Sequence, residues 1–137
     1  MKLLPILCVA GASALLSACA TTPRTPTDLA HIQLVGENSA AITVGEPRLE
    51  RSEGRLLLKG YVVRRLDATT TAETHLDVEL TDSAGAVLRA SVEHFEPRNL
   101  PRRHKRRSFG HYQVPMDSLP ANTMRIVVRA HDGAHSS

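Results

Sequence analysis

The chain has 137 residues, 23% of them charged, with a formal net charge of +3 and an aromatic content of 3%. That length suits one small domain and excludes a large multidomain enzyme. The charge is nearly balanced, and two tyrosines and two phenylalanines are few stacking platforms, so nucleic acid is not an expected partner.

Residues 1–18 have the order of an export signal. Lys2 supplies the positive start, and Leu3 to Leu16 form an apolar stretch broken only by small residues and Pro5. The stretch is shorter than the roughly 20 apolar residues a bilayer span needs. It runs into Leu16-Ser17-Ala18-Cys19, which resembles the lipobox of bacterial lipoproteins. The resemblance implies that Cys19 is the lipid-attachment residue: a diacylglyceryl group joins its sulfur, cleavage falls just before it, and its new amino group is acylated. The competing reading is an ordinary small-residue cleavage site with an incidental cysteine. One acyl chain holds a protein marginally, at about 0.8 kcal/mol per buried CH₂, and two or more hold it stably. Ala20 stands where many Gram-negative lipoproteins carry Asp for inner-membrane retention. The resemblance therefore implies the outer membrane, with the domain facing the periplasm.

Lys2 leaves with the signal, so 16 basic and 14 acidic side chains remain, a charge of +2. Cys8 leaves too. The expected mature chain has no disulfide, no thiolate metal site and no cysteine nucleophile. Residues 19–29 read as the lipidated cysteine and a flexible tether: Thr21 to Asp28 holds two prolines and four threonines, with no apolar face to bury.

Residues 30–137 read as one β domain, because apolar positions recur with period two and turn residues punctuate them. Strands are expected at Ile32–Val35 and Ala40–Val44. Pro47–Glu50 and Arg55–Arg65 should form a hairpin through Ser52-Glu53-Gly54, the second run buried on both faces. Next, Leu76, Val78 and Leu80 point to the core while Asp77 and Glu79 face out to pair with arginines of a neighbouring strand. The turn Asp82-Ser83-Ala84-Gly85 leads to a return strand with Leu88, Ala90 and Val92 inward and Arg89, Ser91 and Glu93 outward. Phe109–Val114 and a final strand with Met124, Ile126, Val128 and Ala130 on one face complete about seven or eight strands. The expected class is an all-β, two-sheet antiparallel β-sandwich. The unit from Val78 to Leu88 resembles the strand-turn-strand of immunoglobulin-like and fibronectin-III-like domains, which implies an immunoglobulin-like sandwich of about seven strands. The chain lacks their buried tryptophan and paired cysteines, and such a fold does not dictate function.

The densest local feature is Arg98, Arg102, Arg103, His104, Lys105, Arg106 and Arg107. Pro97 and Pro101 place its start in an irregular loop. Its six formal cations attract phosphates or carboxylates, so an anionic envelope component or an acidic envelope protein is the expected contact. The plain alternative is a solvated loop that discourages aggregation.

Histidines stand at 31, 75, 94, 104, 111, 131 and 135. A subset, His75, His111, His131 and His135, is the candidate set for a copper or zinc ion, with Asp132 beside the last two. His94, ending an apolar face, reads as a hydrogen-bonded residue at the core edge. The spacing matches no firm zinc pattern, and there is no nucleophile elbow or glycine-rich phosphate loop, so no enzyme is expected. The sequence thus points first to a non-catalytic binding or envelope-assembly lipoprotein. Its alternatives are a histidine-based metal binder and an accessory subunit of an envelope complex.

Overall fold

Alternating apolar and polar residues run through most of the chain, and each run forms a strand. The computed structural model describes residues 25–103 and 106–134; Cys19, His104, Lys105 and His135 lie outside the described residues. A 3-10 turn at Thr27–Leu29 precedes β1 (Gln33–Glu37), β2 (Ile42–Val44), β3 (Arg48–Ser52), β4 (Arg55–Arg64), β5 (Thr74–Thr81), β6 (Val87–Glu93), β7 (Phe109–Pro115) and β8 (Arg125–Asp132). The class is all-β, as expected, in two sheets.

The first sheet has the order β1-β8-β5-β6. The second is built on β4. β7 pairs along one edge of β4, while β2 and β3 lie end to end along the other. Pro47, which has no N–H to donate, falls in the break between β2 and β3. If these two count as one pass, the chain crosses the sandwich seven times in alternating directions. First and last passes then run the same way, and β1 pairs with β8 in parallel, from Gln33 opposite Arg125 to Glu37 opposite Arg129. All other pairs are antiparallel.

Alternation also gives the sandwich two ends. The tether end gathers the 3-10 turn, the β3–β4 hairpin, the β5–β6 turn and the β7–β8 loop. The crossover end gathers the β1–β2, β4–β5 and β6–β7 connections. The ten residues of β4 separate the ends by roughly 30 Å, at about 3.3 Å per residue.

Between the sheets, Ile42, Leu58, Leu76, Val78, Ile126 and Val128 are all closed to solvent, as alternation leads one to expect, whereas Met124, expected on the same face as Ile126, precedes β8 and is 40% exposed. Glu53 and Gly54 both have positive φ, 52° and 78°, which gives the β3–β4 hairpin the turn twist that suits its strands. At the centre of β4, Gly60 lies under the Tyr112 ring. A Cβ there would stand 2.2 Å from the phenol oxygen, so only glycine fits. That hydroxyl is buried without a hydrogen-bond partner, and burial pushes its pKa well above the usual tyrosine range.

One strand is inverted relative to expectation. Thr81 pairs with Val87, but one step on, Leu80 pairs with Arg89, so an extra residue bulges into β6. Without that bulge, Leu88, Ala90 and Val92 would sit opposite Leu80, Val78 and Leu76 and face the core. With it, Arg89, Ser91 and Glu93 take those places, and Leu88 and Val92 stand 38% and 53% exposed. A one-residue shift reverses every side chain of a strand. The inward polar residues find partners at the sheet margin: Arg89 donates to the Ser118 carbonyl and Ser91 to Glu93. His94, just beyond, is exposed rather than at the core edge.

Candidate anion-binding site

Buried polar groups tie together the connections at the crossover end. Along β4, positions 56, 58, 60, 62 and 64 share the inward face, and the last of these is an arginine only 9% exposed. The Arg64 guanidinium donates to the carbonyls of Leu100 (2.5 Å), Ala68 (2.7 Å) and Thr69 (2.9 Å). Its backbone N–H donates to the Ser108 carbonyl. Thr71, fully buried, accepts the Leu100 N–H at 2.7 Å, and the Ser108 hydroxyl donates to the Pro101 carbonyl at 2.6 Å. Nearby, the Asp132 carboxylate accepts from Ser39, Ala41 and Thr74.

The β6–β7 crossover is therefore pinned at both legs. Phe95 and Leu100 insert into the core on one side, and Ser108 is buried on the other. Arg102, Arg103 and Arg106 are exposed on this base. With Arg64, Arg65 and Ser108 they line a pocket of about 130 Å³. Arg107 lies instead on a neighbouring groove of about 630 Å³, beside Tyr61, Leu66 and Phe109, and Arg98 lines neither. Among the described residues, Arg64, Arg102, Arg103 and Arg106 form no ion pair with a carboxylate, and Arg65 stands 3.6 Å from Asp67. Forked guanidinium donors of this kind suit phosphate or carboxylate oxygens.

Sequence reasoning missed Arg64 and Arg65. A signal was present, since the β4 alternation places Arg64 on the buried face and charge is seldom buried without a purpose.

The histidine set divides. His75 and His131 sit directly opposite each other on β5 and β8, their rings 5.1 Å apart. Asp77 lies beside both, 3.6 Å from His75 Nε2 and 4.0 Å from His131 Nδ1. All three belong to the outer face of the first sheet, although His75 is buried there. His111 is on the other sheet, opposite Tyr61, and exchanges backbone hydrogen bonds with Glu96. Among the described residues, no group of three or more histidine, cysteine or acidic side chains is arranged to hold a metal ion. Glu79 pairs across the strands with Arg129, as expected, at 3.5 Å, and Arg129 also meets Glu37. No protein-family model, curated protein or solved structure matches this chain.

Proposed function

We propose that this protein is a lipid-anchored envelope lipoprotein, acylated at Cys19, whose β-sandwich is a non-catalytic binding module on the periplasmic side of the outer membrane. One observation carries the binding-module reading: a pinned crossover sets Arg102, Arg103 and Arg106 around a pocket with Arg64, and none of these four pairs with a carboxylate among the described residues. The one hydroxyl in that lining already donates to a carbonyl, and the groups around it are cations rather than a general base, so the site is suited to holding an anion.

Placement supports the same reading. The tether enters at one end and the arginines stand at the other, roughly 30 Å away. An upright domain therefore presents its cations away from the anchoring leaflet, toward an anionic envelope component or an acidic envelope protein. A photo-crosslinking residue at position 103 in cells tests this. It should capture such a component, capture should fall as salt rises from about 0.05 to about 0.5 M, and a crosslinker at position 84 should capture little. Equal capture at both ends, or capture indifferent to salt, would end the reading. The anchor is tested separately by the mass of the N-terminal peptide, with Cys19→Ser as the unlipidated control.

The ring contact of His75 with His131 favours one second reading, a two-histidine copper or zinc site on the outer face of the first sheet. Calorimetric titration of Cu²⁺ and Zn²⁺ should then give 1:1 binding at about pH 7.4 that fades at about pH 5.5, because protonated imidazole cannot ligate. Absent or multi-site uptake would remove it.

A further inference from the structure

Deepening the binding-module reading, and resting on it, we infer that the crossover pocket is a site for a single phosphomonoester group. Arg64 is the first reason. A guanidinium has five N–H donors, and three hydrogen bonds, all to carbonyls, occupy three of those of Arg64. Its Nε is buried with no partner. A buried cation without a counter-charge is costly, and an anion drawn into the pocket that it lines offsets that cost.

The second reason is arrangement. Arg64 and Arg65 come from the end of β4, whereas Arg102, Arg103 and Arg106 come from the crossover. Two separate chain segments thus supply cations to one cavity, and the hydrogen bonds at Leu100, Pro101 and Ser108 hold the two legs of the crossover on which three of them are carried. The third is size. At about 130 Å³ the pocket is on the scale of a cavity that holds one small ring, about 150 Å³, which admits one phosphate group and leaves whatever the phosphate is esterified to outside it. A phosphomonoester carries a charge near −2 and three acceptor oxygens at neutral pH. A carboxylate offers one charge and two oxygens, so the dianion answers this cation excess more fully. Lipid-borne and soluble phosphomonoesters share this chemistry.

The test is calorimetric titration of the full chain in detergent. Methyl phosphate should bind 1:1 and at least about tenfold more tightly than acetate. The double variant Arg102→Ala/Arg106→Ala should weaken it by at least about tenfold. Arg98→Ala/Arg107→Ala removes the same charge from the same crossover outside the pocket and should weaken it by less than about threefold. All four positions are exposed, and unchanged thermal midpoints check that both variants fold. Equal losses in the two doubles, acetate binding as tight as methyl phosphate, or no binding by the wild-type chain would overturn the proposal. Dihexanoyl phosphatidic acid, with dihexanoyl phosphatidylglycerol as the diester control, identifies the source. Tighter binding of phosphatidic acid than of methyl phosphate supports a lipid-borne group, and equal or weaker binding supports a soluble one. If phosphomonoesters do not bind while capture at position 103 stays salt-sensitive, the pocket assignment falls and the binding-module reading stands.

Discussion

Arginine occupies both ends of the sandwich and does opposite work there. At the tether end, Arg51 meets Asp28 at 2.6 Å and Arg55 meets Asp117 at 2.7 Å, all four side chains well exposed. The Arg55 hydrogen bond holds the Asp117 carboxyl below its ordinary pKa. At the crossover end, Arg64 is buried and bonded only to carbonyls, while Arg102, Arg103 and Arg106 stand exposed on a pinned loop. Exposed ion pairs contribute little to stability. A buried guanidinium that holds three carbonyls contributes a great deal, because its loss leaves each of them short of a donor. Arginine is thus paired with carboxylates and peripheral at one end, whereas at the other Arg64 is structural and has no carboxylate partner among the described residues.

The contrast can be broken most directly at Arg64. Arg64→Met should cost about 3–5 kcal/mol in urea denaturation, at about 1–1.5 kcal/mol for each of the three carbonyls left without its donor. A cost no larger than that of Arg51→Ala would erase the difference between the ends. Leu100→Ala should come next, at about 3 kcal/mol, since it empties a fully buried site and unseats the crossover leg. It should also weaken methyl phosphate binding, which a purely local cavity would not do.

Between the ends, Tyr112 gives a smaller effect with a defined pH sign. Its folded pKa lies above the unfolded value of about 10. Its neutral form stabilises the fold fully below that pH, and stability declines as pH rises, because the unfolded chain releases a proton that the folded chain keeps. Tyr112→Phe should flatten that alkaline decline and change stability at neutral pH by at most about 1 kcal/mol, since the lost hydroxyl has no partner. An unchanged alkaline slope in the variant would refute the assignment. Smallest of all, Arg51→Ala and Arg55→Ala should leave the urea midpoint where it was. A clear drop from either would mean that the tether end carries more of the fold than its exposure suggests.

Much of the fold was legible because alternation is a local property. The strands around Leu76–Leu80 and Ile126–Ala130 could be placed from their own residues, and the turns at Glu53-Gly54 and Asp82–Gly85 from the preferences of those residues. The outward placement of Glu79 and its pairing with an arginine followed from the same period. The pocket was half legible. The crossover arginines are contiguous in sequence and drew attention as a cluster. Arg64 and Arg65 lie more than thirty residues earlier, and nothing local says which loop the end of β4 will meet.

What the sequence by itself determined, then, is the all-β class, the period-two strands, their turns and the concentration of cations between Arg98 and Arg107. It also carries the lipobox-like start on which the anchor proposal rests. Tertiary structure decided three further matters. It joined Arg64 and Arg65 to Arg102, Arg103 and Arg106, because β4 and the crossover end at the same place. It paired His75 with His131 across two strands and sent His111 to the other sheet. It turned β6 over, because one bulged residue after Thr81 sets which side of that strand faces the core. Each depends on register and on which strands become neighbours, and these are set by the packing of whole sheets rather than by any local run of residues.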